Sequence, residues 1–275
     1  MTDRRFFPGN ARVVLAGTPG AAAGAKEVAG TPGTVAVPYA ELLATPGGVR
    51  DRQLLFGDAF NVLEEGEGWL FGQSGKDGYV GYLAAGTLSA PVAPTHFVAQ
   101  RSTHAYAAPD VKAADLRPLS FGSPLRVVTE ERKYFELADG SFVPKTHLRP
   151  LDQPFRDMVT VAQVFFGAPY LWGGNTAWGL DCSALVQIAV MATGNACPPD
   201  SDVQAAGLGD EIALDSPVAR GDLFFWAGHV AIAVDGETLI HANAHHMAVA
   251  YEPLAAALAR IEAQEGAGVT VRRRL

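Results

Sequence analysis

Cysteine is nearly absent: Cys182 and Cys197 are the two in a chain of 275 residues. Their spacing is neither that of a zinc ribbon nor that of a redox pair, and a single disulfide between them is left open. So few cysteines exclude a disulfide-built scaffold and suit a reducing compartment. Positive charge is also in short supply. Lys and Arg number 21 against 29 Asp and Glu, for a net charge of −8. That excludes the basic stripes nucleic-acid binding needs and favours amine-bearing ligands at acidic pockets. No apolar run reaches the length of a membrane-spanning helix, so no membrane partner is expected. Near the start, Pro8, Gly9, Asn10 and Arg12 interrupt the chain before a signal-peptide core develops. No signal peptide is read, and a cytoplasmic location is expected, with a periplasmic or secreted one as the alternative.

Apolar residues make up 48% of the chain, which excludes global disorder, and the length suits two or three domains. Residues 1–31, rich in Gly, Ala and Pro, are expected to be an irregular segment with a short strand or turn at Ala11–Leu15. From Thr34 the texture changes to short strand-like runs separated by glycine and Asp-Gly turns, first over 32–92 and again over 93–152. The second block repeats the first. Phe56-Gly57 corresponds to Phe121-Gly122, Val62 to Val127, Trp69 to Tyr134 and Leu83 to Leu148, always 65 positions apart (121 − 56, 148 − 83). A constant offset marks a duplicated unit, and five short strands in about 60 residues suit a small barrel.

Pro150 and Pro154 mark a boundary. Beyond it, over 153–275, apolar spacing predicts a helix at Phe155–Phe166, a mostly buried helix at Ser183–Thr193 and a helical turn at Ser201–Ala206. After Asp222 the period changes to strands, LFFWA, HVAIAVD, ETLIHAN and MAVAYEPL. A short helix at Ala255–Glu262 and a closing strand at Val269–Arg274 follow. Helices first and an antiparallel meander second make an α+β arrangement.

Chemistry concentrates in Gly167–Gln187, GAPYLWGGNTAWGLDCSALVQ. Glycines at 173, 174 and 179 allow a tight turn, Asp181 suits an N-cap, and Cys182 falls in the first helical turn, where a thiol pKa is lowered. The base must come from elsewhere. His96, His104 and His147 lie in the repeated blocks and are read as exposed or capping. His229 opens an apolar strand, and His241 falls on the next strand, where it can fix the tautomer of His229. His245 and His246 cluster with His241, but no carboxylate or cysteine completes a zinc set, so no metal is expected.

The repeated blocks resemble bacterial SH3-like domains of the SH3b type. PYLWGGNTAWGLDCSALVQ, GHVAIAVD and LIHAN together resemble the NlpC/P60 family of papain-like cysteine peptidases. The implied fold is α+β, a papain-like domain of helices packed on an antiparallel sheet, preceded by two small all-β barrels. The resemblance implies Cys182 as nucleophile, His229 as general base and His241 as the orienting residue, with Tyr170 beside the thiol and no cofactor. The SH3b pair narrows it to the γ-D-glutamyl-L-diamino acid endopeptidases, the dipeptidyl-peptidase VI-like branch, whose partner is a murein peptide with a free L-Ala amine. That branch implies an amine pocket made of Asp181, Ser183 and Ser201, closed by an aromatic hydroxyl for which Tyr79 matches, with Tyr82 as second choice and Asp51 or Asp58 assisting. Trp172 and Trp178 divide between packing and substrate contact. Ala184 replaces the usual Gly, and Pro199 replaces an Arg that would hold a substrate carboxylate. The expected activity is hydrolysis of the γ-D-Glu–diamino acid bond in murein peptide recycling. The alternatives are a secreted hydrolase of intact wall, a silent wall- or peptide-binding protein, and acyl transfer on the same scaffold.

Overall fold

A computed structural model describes residues 3–275, the side chain of Glu265 excepted. Met1 and Thr2 of the N-terminal segment lie outside the described residues. The chain divides into two compact units, Met1–Leu151 and Asp152–Leu275.

The first unit is all β and contains the duplication. Its first half is a seven-stranded sheet in the order Arg50–Leu55, Tyr39–Leu43, Val80–Ala84, Trp69–Ser74, Ala59–Gly66, Thr31–Val35, Leu88–Ser89. Period-two alternation turns Ala40 and Leu42 inward and leaves Tyr39 and Glu41 exposed. Val35, Leu42, Leu54, Phe60, Leu70 and Leu83 close one core. The second half has its own core of Val98, Ala105, Leu119, Leu125, Leu137, Val143 and Leu148. The 65-residue offset is structural. Gly57 and Gly122 both adopt positive φ, 89° and 85°, and Asp58 N–H to Leu55 O repeats as Ser123 N–H to Ser120 O. Trp69 and Tyr134 each begin a strand directly after a hairpin turn.

The N-terminal segment is more ordered than its composition predicts. Val13–Leu15 pairs in parallel with Lys26–Val28, and Val13 buries against Leu63, Phe71 and Val80. Val80 N–H donates to Arg5 O at 2.8 Å, and Phe6 sits edge-on to Tyr79 at 5.8 Å. A few apolar side chains, each stabilising by roughly 1.5–3 kcal/mol when fully buried, outweigh the flexibility of the glycines between them.

The second unit packs helices on a six-stranded antiparallel sheet. Helix α1 spans Met158–Val164, α2 Cys182–Met191, α3 Ser201–Gly207 and α4 Leu254–Glu265. Helix α1 starts later than its apolar spacing predicts because Asp157 caps it, accepting from Val159 N–H at 3.0 Å. Phe155 instead donates its N–H to Ala192 O, at the end of α2. The sheet order is Asp210–Ile212, Val271–Arg274, Leu223–Trp226, His229–Ala233, Thr238–Asn243, Ala248–Pro253. It departs from a simple meander. The closing strand inserts beside Leu223–Trp226 and recruits an edge strand, Asp210–Ile212, with no apolar alternation to announce it. The insertion carries Arg272 inside, where it meets buried Asp222 at 2.8 Å and lies over the Phe224 ring. Arg273 donates to Ala206 O and Gly209 O, fastening the end of α3 to the sheet.

Candidate active site

The loop before α2 is held by the sheet. Gly167 N–H donates to Val249 O at 2.9 Å, Val249 N–H to Ala168 O at 2.8 Å and Tyr170 N–H to Met247 O at 2.9 Å. The chain then folds back on itself so that Leu171 N–H reaches Leu180 O at 3.1 Å. Gly173 makes the turn at φ 67°. A Cβ on Gly174 would lie 2.5 Å from the Gly179 carbonyl oxygen, which only glycine avoids. This fold-back aims Asp181 at the helix it precedes. Its Oδ1 accepts from Ala184 N–H at 2.8 Å and from the Ser183 hydroxyl at 2.9 Å, and its Oδ2 accepts from Gly173 N–H at 3.0 Å. One carboxylate thus caps α2 and ties it to the glycine turn.

Cys182 occupies the first turn of α2, 7% exposed. Its electrostatics run against the sequence expectation of a lowered thiol pKa. Burial, helped by the Asp181 charge, pushes the thiol up to about 12, although the amides of Val230, Ser183 and Cys182 itself pull the other way. Tyr170 is raised by burial and then by charge on Cys182 and Asp181, so phenol, thiol and carboxylate lie within electrostatic range of one another. Val230, whose amide serves the thiol, directly follows His229 at the start of the neighbouring strand.

From His229 a chain of side chains runs across the sheet. His229 Nε2 lies 2.9 Å from His241 Nδ1, and His241, 1% exposed, places Nε2 3.0 Å from Glu252 Oε2. Arg260, on α4, grips both oxygens of Glu252 at 2.8 and 2.7 Å. Burial, with the neighbouring His241, holds His229 down to about 3. Burial also lowers His241 to about 4 against the raising effect of Glu252. Arg260 holds Glu252 down to about 2. Burial thus disfavours charge on the thiol and on both imidazoles, while Arg260 favours the ionised form of Glu252. Glu252 and Arg260 escaped the sequence reading because no motif contains them. The available signal was the inward face of the strand AVAYEP, on which Glu252 is buried.

The remaining predicted residues fall in several places. Ser183 is buried and bonded to Asp181. Ser201 opens α3, whose Gln204 side chain donates to Ser183 O at 3.0 Å, so α3 is moored to the first turn of α2. Trp172 is 68% exposed on the glycine loop, and Trp178 is exposed as well. Tyr79 lies in the first barrel, 3% exposed in its core cluster, with Arg52 over its ring. Tyr82 stacks obliquely on Phe71, Asp51 is paired with Arg4 and Asp58 with Lys76. Cys182 and Cys197 are both buried and are not joined in a disulfide. The expectation that no carboxylate approaches the histidine cluster is corrected. Glu252 lies with His241 and His246 so that their ligand atoms fall within 4.8 Å of one another. Sequence spacing missed it because strand pairing, not chain proximity, brings it there. Both Glu252 oxygens accept from Arg260, and Oε2 also faces His241 Nε2.

Comparison with known proteins fits this architecture. The NlpC/P60 family model matches residues 167–260, and the model of the bacterial dipeptidyl-peptidase Sh3 domain matches 42–88. The chain is 29% identical over 214 residues to the gamma-D-glutamyl-L-lysine dipeptidyl-peptidase of Bacillus subtilis (strain 168), covering 69% of this chain and 71% of that one. It is 26% identical over 216 residues to dipeptidyl-peptidase 6 of Lysinibacillus sphaericus, covering 70% and 79%. The fold is also that of an NlpC/P60 family protein from Bacillus cereus ATCC 10987, with a TM-score of 0.76 at 19% identity over 89% of this chain and 99% of the other. The chain is a cysteine peptidase with an NlpC/P60 domain and, ahead of it, an SH3 domain of the bacterial dipeptidyl-peptidase type.

Proposed function

We propose that the protein hydrolyses the amide between γ-D-glutamate and a diamino acid in short peptidoglycan-derived peptides that begin with a free L-Ala. Cys182 is the nucleophile, His229 the general base and His241 the residue that orients it. The observation that carries this reading is the line from His229 Nε2 to His241 Nδ1 at 2.9 Å, at the start of the strand whose Val230 amide serves the Cys182 thiol in the first turn of α2. Burial disfavours charge separation between thiol and imidazole until an electrophile is present. The S–H proton passes to His229 and sulfur attacks the carbonyl carbon. The Cys182 amide, at the helix N-terminus, is a donor for the oxyanion. The amine leaves with the proton from His229, and water then releases the acyl group.

The free amine follows from Asp181. An ammonium beside its carboxylate removes the raising effect that Asp181 exerts on the thiol. Substrate binding would thereby favour the thiolate. Ser183 lies in the first turn of α2 and Ser201 opens α3, and the exposed Trp172 offers a face for the distal part of the peptide. The names of the two relatives, both dipeptidyl-peptidases, support the substrate class.

Mass spectrometry of products from L-Ala-γ-D-Glu-meso-diaminopimelate and from its N-acetylated form tests the reading. Acetylation is expected to lower kcat/KM by about a hundredfold or more, the scale of an uncompensated buried charge. Equal cleavage of the two overturns the amine pocket. Equal cleavage of intact sacculi and free tripeptide overturns the short-peptide specificity.

A further inference from the structure

We propose that Glu252, clamped by Arg260, is a positioning residue that dictates where the protons sit on both histidine rings, leaving Nδ1 of His229 as the proton acceptor. This rests on the assignment of Cys182 and His229 above and adds to it a residue outside the motif.

Donors and acceptors must alternate along the line. Arg260 gives two N–H groups to the two oxygens of Glu252. A carboxylate in that grip is ionised and can only accept. The His241 nitrogen facing it at 3.0 Å, Nε2, must therefore carry the proton. A neutral imidazole has one N–H, so His241 Nδ1 is a bare lone pair. Facing that lone pair at 2.9 Å is His229 Nε2, which must then be the donor. The proton of neutral His229 is thereby placed on Nε2, and Nδ1 is free.

The opposite arrangement would be self-consistent without Glu252. If His241 carried its proton on Nδ1, it would donate to His229 Nε2, and the proton of His229 would move to Nδ1. The base would then be blocked. Two coupled rings with nothing beyond them have two near-equivalent states, and an anion at the far end selects one. The same anion acts again after proton transfer. When the S–H bond breaks and the Nδ1–H bond forms, His229 becomes a cation. Its Nε2–H still donates to His241 Nδ1, and the negative charge of Glu252 lies at the end of the line. The charged groups bearing on the pair are Glu252, from the adjacent strand, which favours the cation, and Arg260, from α4, which opposes it. His246, from the turn beyond His241, opposes it as well. His241 and Glu252, at the centre of the line, are buried, and His229 and Arg260, at its ends, are half-buried.

Two measurements test the proposal. Long-range 1H–15N correlation spectra of the intact protein at neutral pH report each ring's tautomer directly. The expected result is Nε2–H with bare Nδ1 on His241; a proton on His241 Nδ1 overturns the proposal, and no variant has to fold. The second is Glu252→Gln, assayed on L-Ala-γ-D-Glu-meso-diaminopimelate. An amide can accept or donate, so it no longer forbids the blocked tautomer. Loss of about ten- to a hundredfold in kcat is expected, the usual scale for outer groups that orient a histidine, with KM within about twofold. Loss of the negative charge also lowers the His229 pKa, so the acid limb of kcat/KM moves to lower pH. Unchanged kcat together with an unchanged acid limb overturns the proposal. Failure of the underlying assignment looks different: Cys182→Ala would retain hydrolysis, while the tautomer spectra of the intact protein would stand or fall on their own.

Discussion

At the scale of the residue, Asp181 carries the most roles, and its effects separate by substitution. Asn is as good an N-cap as Asp, so Asp181→Asn should change stability by less than about 1 kcal/mol. Asn lacks the charge that raises the thiol. The pH midpoint of iodoacetamide alkylation at Cys182 should therefore fall in the variant, while KM for the free-amine tripeptide rises at least tenfold. A midpoint that stays or rises would contradict the electrostatic role of Asp181. Cys182, His229 and His241 were legible in the sequence because each sits in a motif whose spacing survives folding: the residue after a cap, a strand start, and the next strand of a hairpin. Glu252 and Arg260 were not. They are eight apart in the chain, on a strand and a helix, and Glu252 meets His241 only once the strand Ala248–Pro253 has taken its register against Thr238–Asn243. The direction of the thiol shift was also illegible, since burial arises from tertiary packing and not from the motif.

At the scale of the element, the glycine fold-back and the mooring of α3 make separate predictions. Gly174→Ala drives a Cβ into the Gly179 carbonyl oxygen. Its expected cost, by the scale of overpacked sites, is about 1–3 kcal/mol, read as a lowered urea midpoint. An unaltered midpoint would show that the fold-back has slack. Gln204→Ala removes the donor that serves both Ser183 O and Pro198 O at 3.0 Å. Leaving buried acceptors unpaired costs about 1–3 kcal/mol; a hydrogen-exchange measurement should find faster exchange in α3 and the first turn of α2. Strands and helices of the second unit were mostly legible by period. Their order was not, because an inserted closing strand and a short polar edge strand such as Asp210–Ile212 leave no periodic signal. The segment Val13–Val28 misled in the opposite sense: its glycines hid the few apolar anchors that fix it.

At the scale of the molecule, the buried neutral histidines tie stability to pH. Both are near 6.5 when unfolded, and about 3 and about 4 in the folded protein. Between those limits the unfolded chain binds protons that the native state refuses, so stability falls as pH falls. From pH 7 to pH 5 each contributes a loss on the order of 2 kcal/mol. Glu252, depressed to about 2, adds a loss below pH 4.5 in the same direction. The urea midpoint of the second unit, followed by its tryptophans, should therefore drop on acidification, and less so in a His229→Ala, His241→Ala double variant. Equal drops in both proteins would remove the histidines as the cause. The duplication in the first unit was legible because a fixed offset of 65 recurs at turn glycines and core leucines, positions where backbone conformation and packing tolerate little else.

Attack of Cys182 on the γ-D-glutamyl carbonyl leaves a covalent trace. It is tested most directly by acid-quenching the protein during turnover of L-Ala-γ-D-Glu-meso-diaminopimelate and mapping covalent adducts by peptide mass spectrometry. The account predicts an L-Ala-γ-D-Glu thioester on the peptide containing Cys182, and no product from Cys182→Ala. Turnover by that variant, or an acyl group on any other residue, would contradict it.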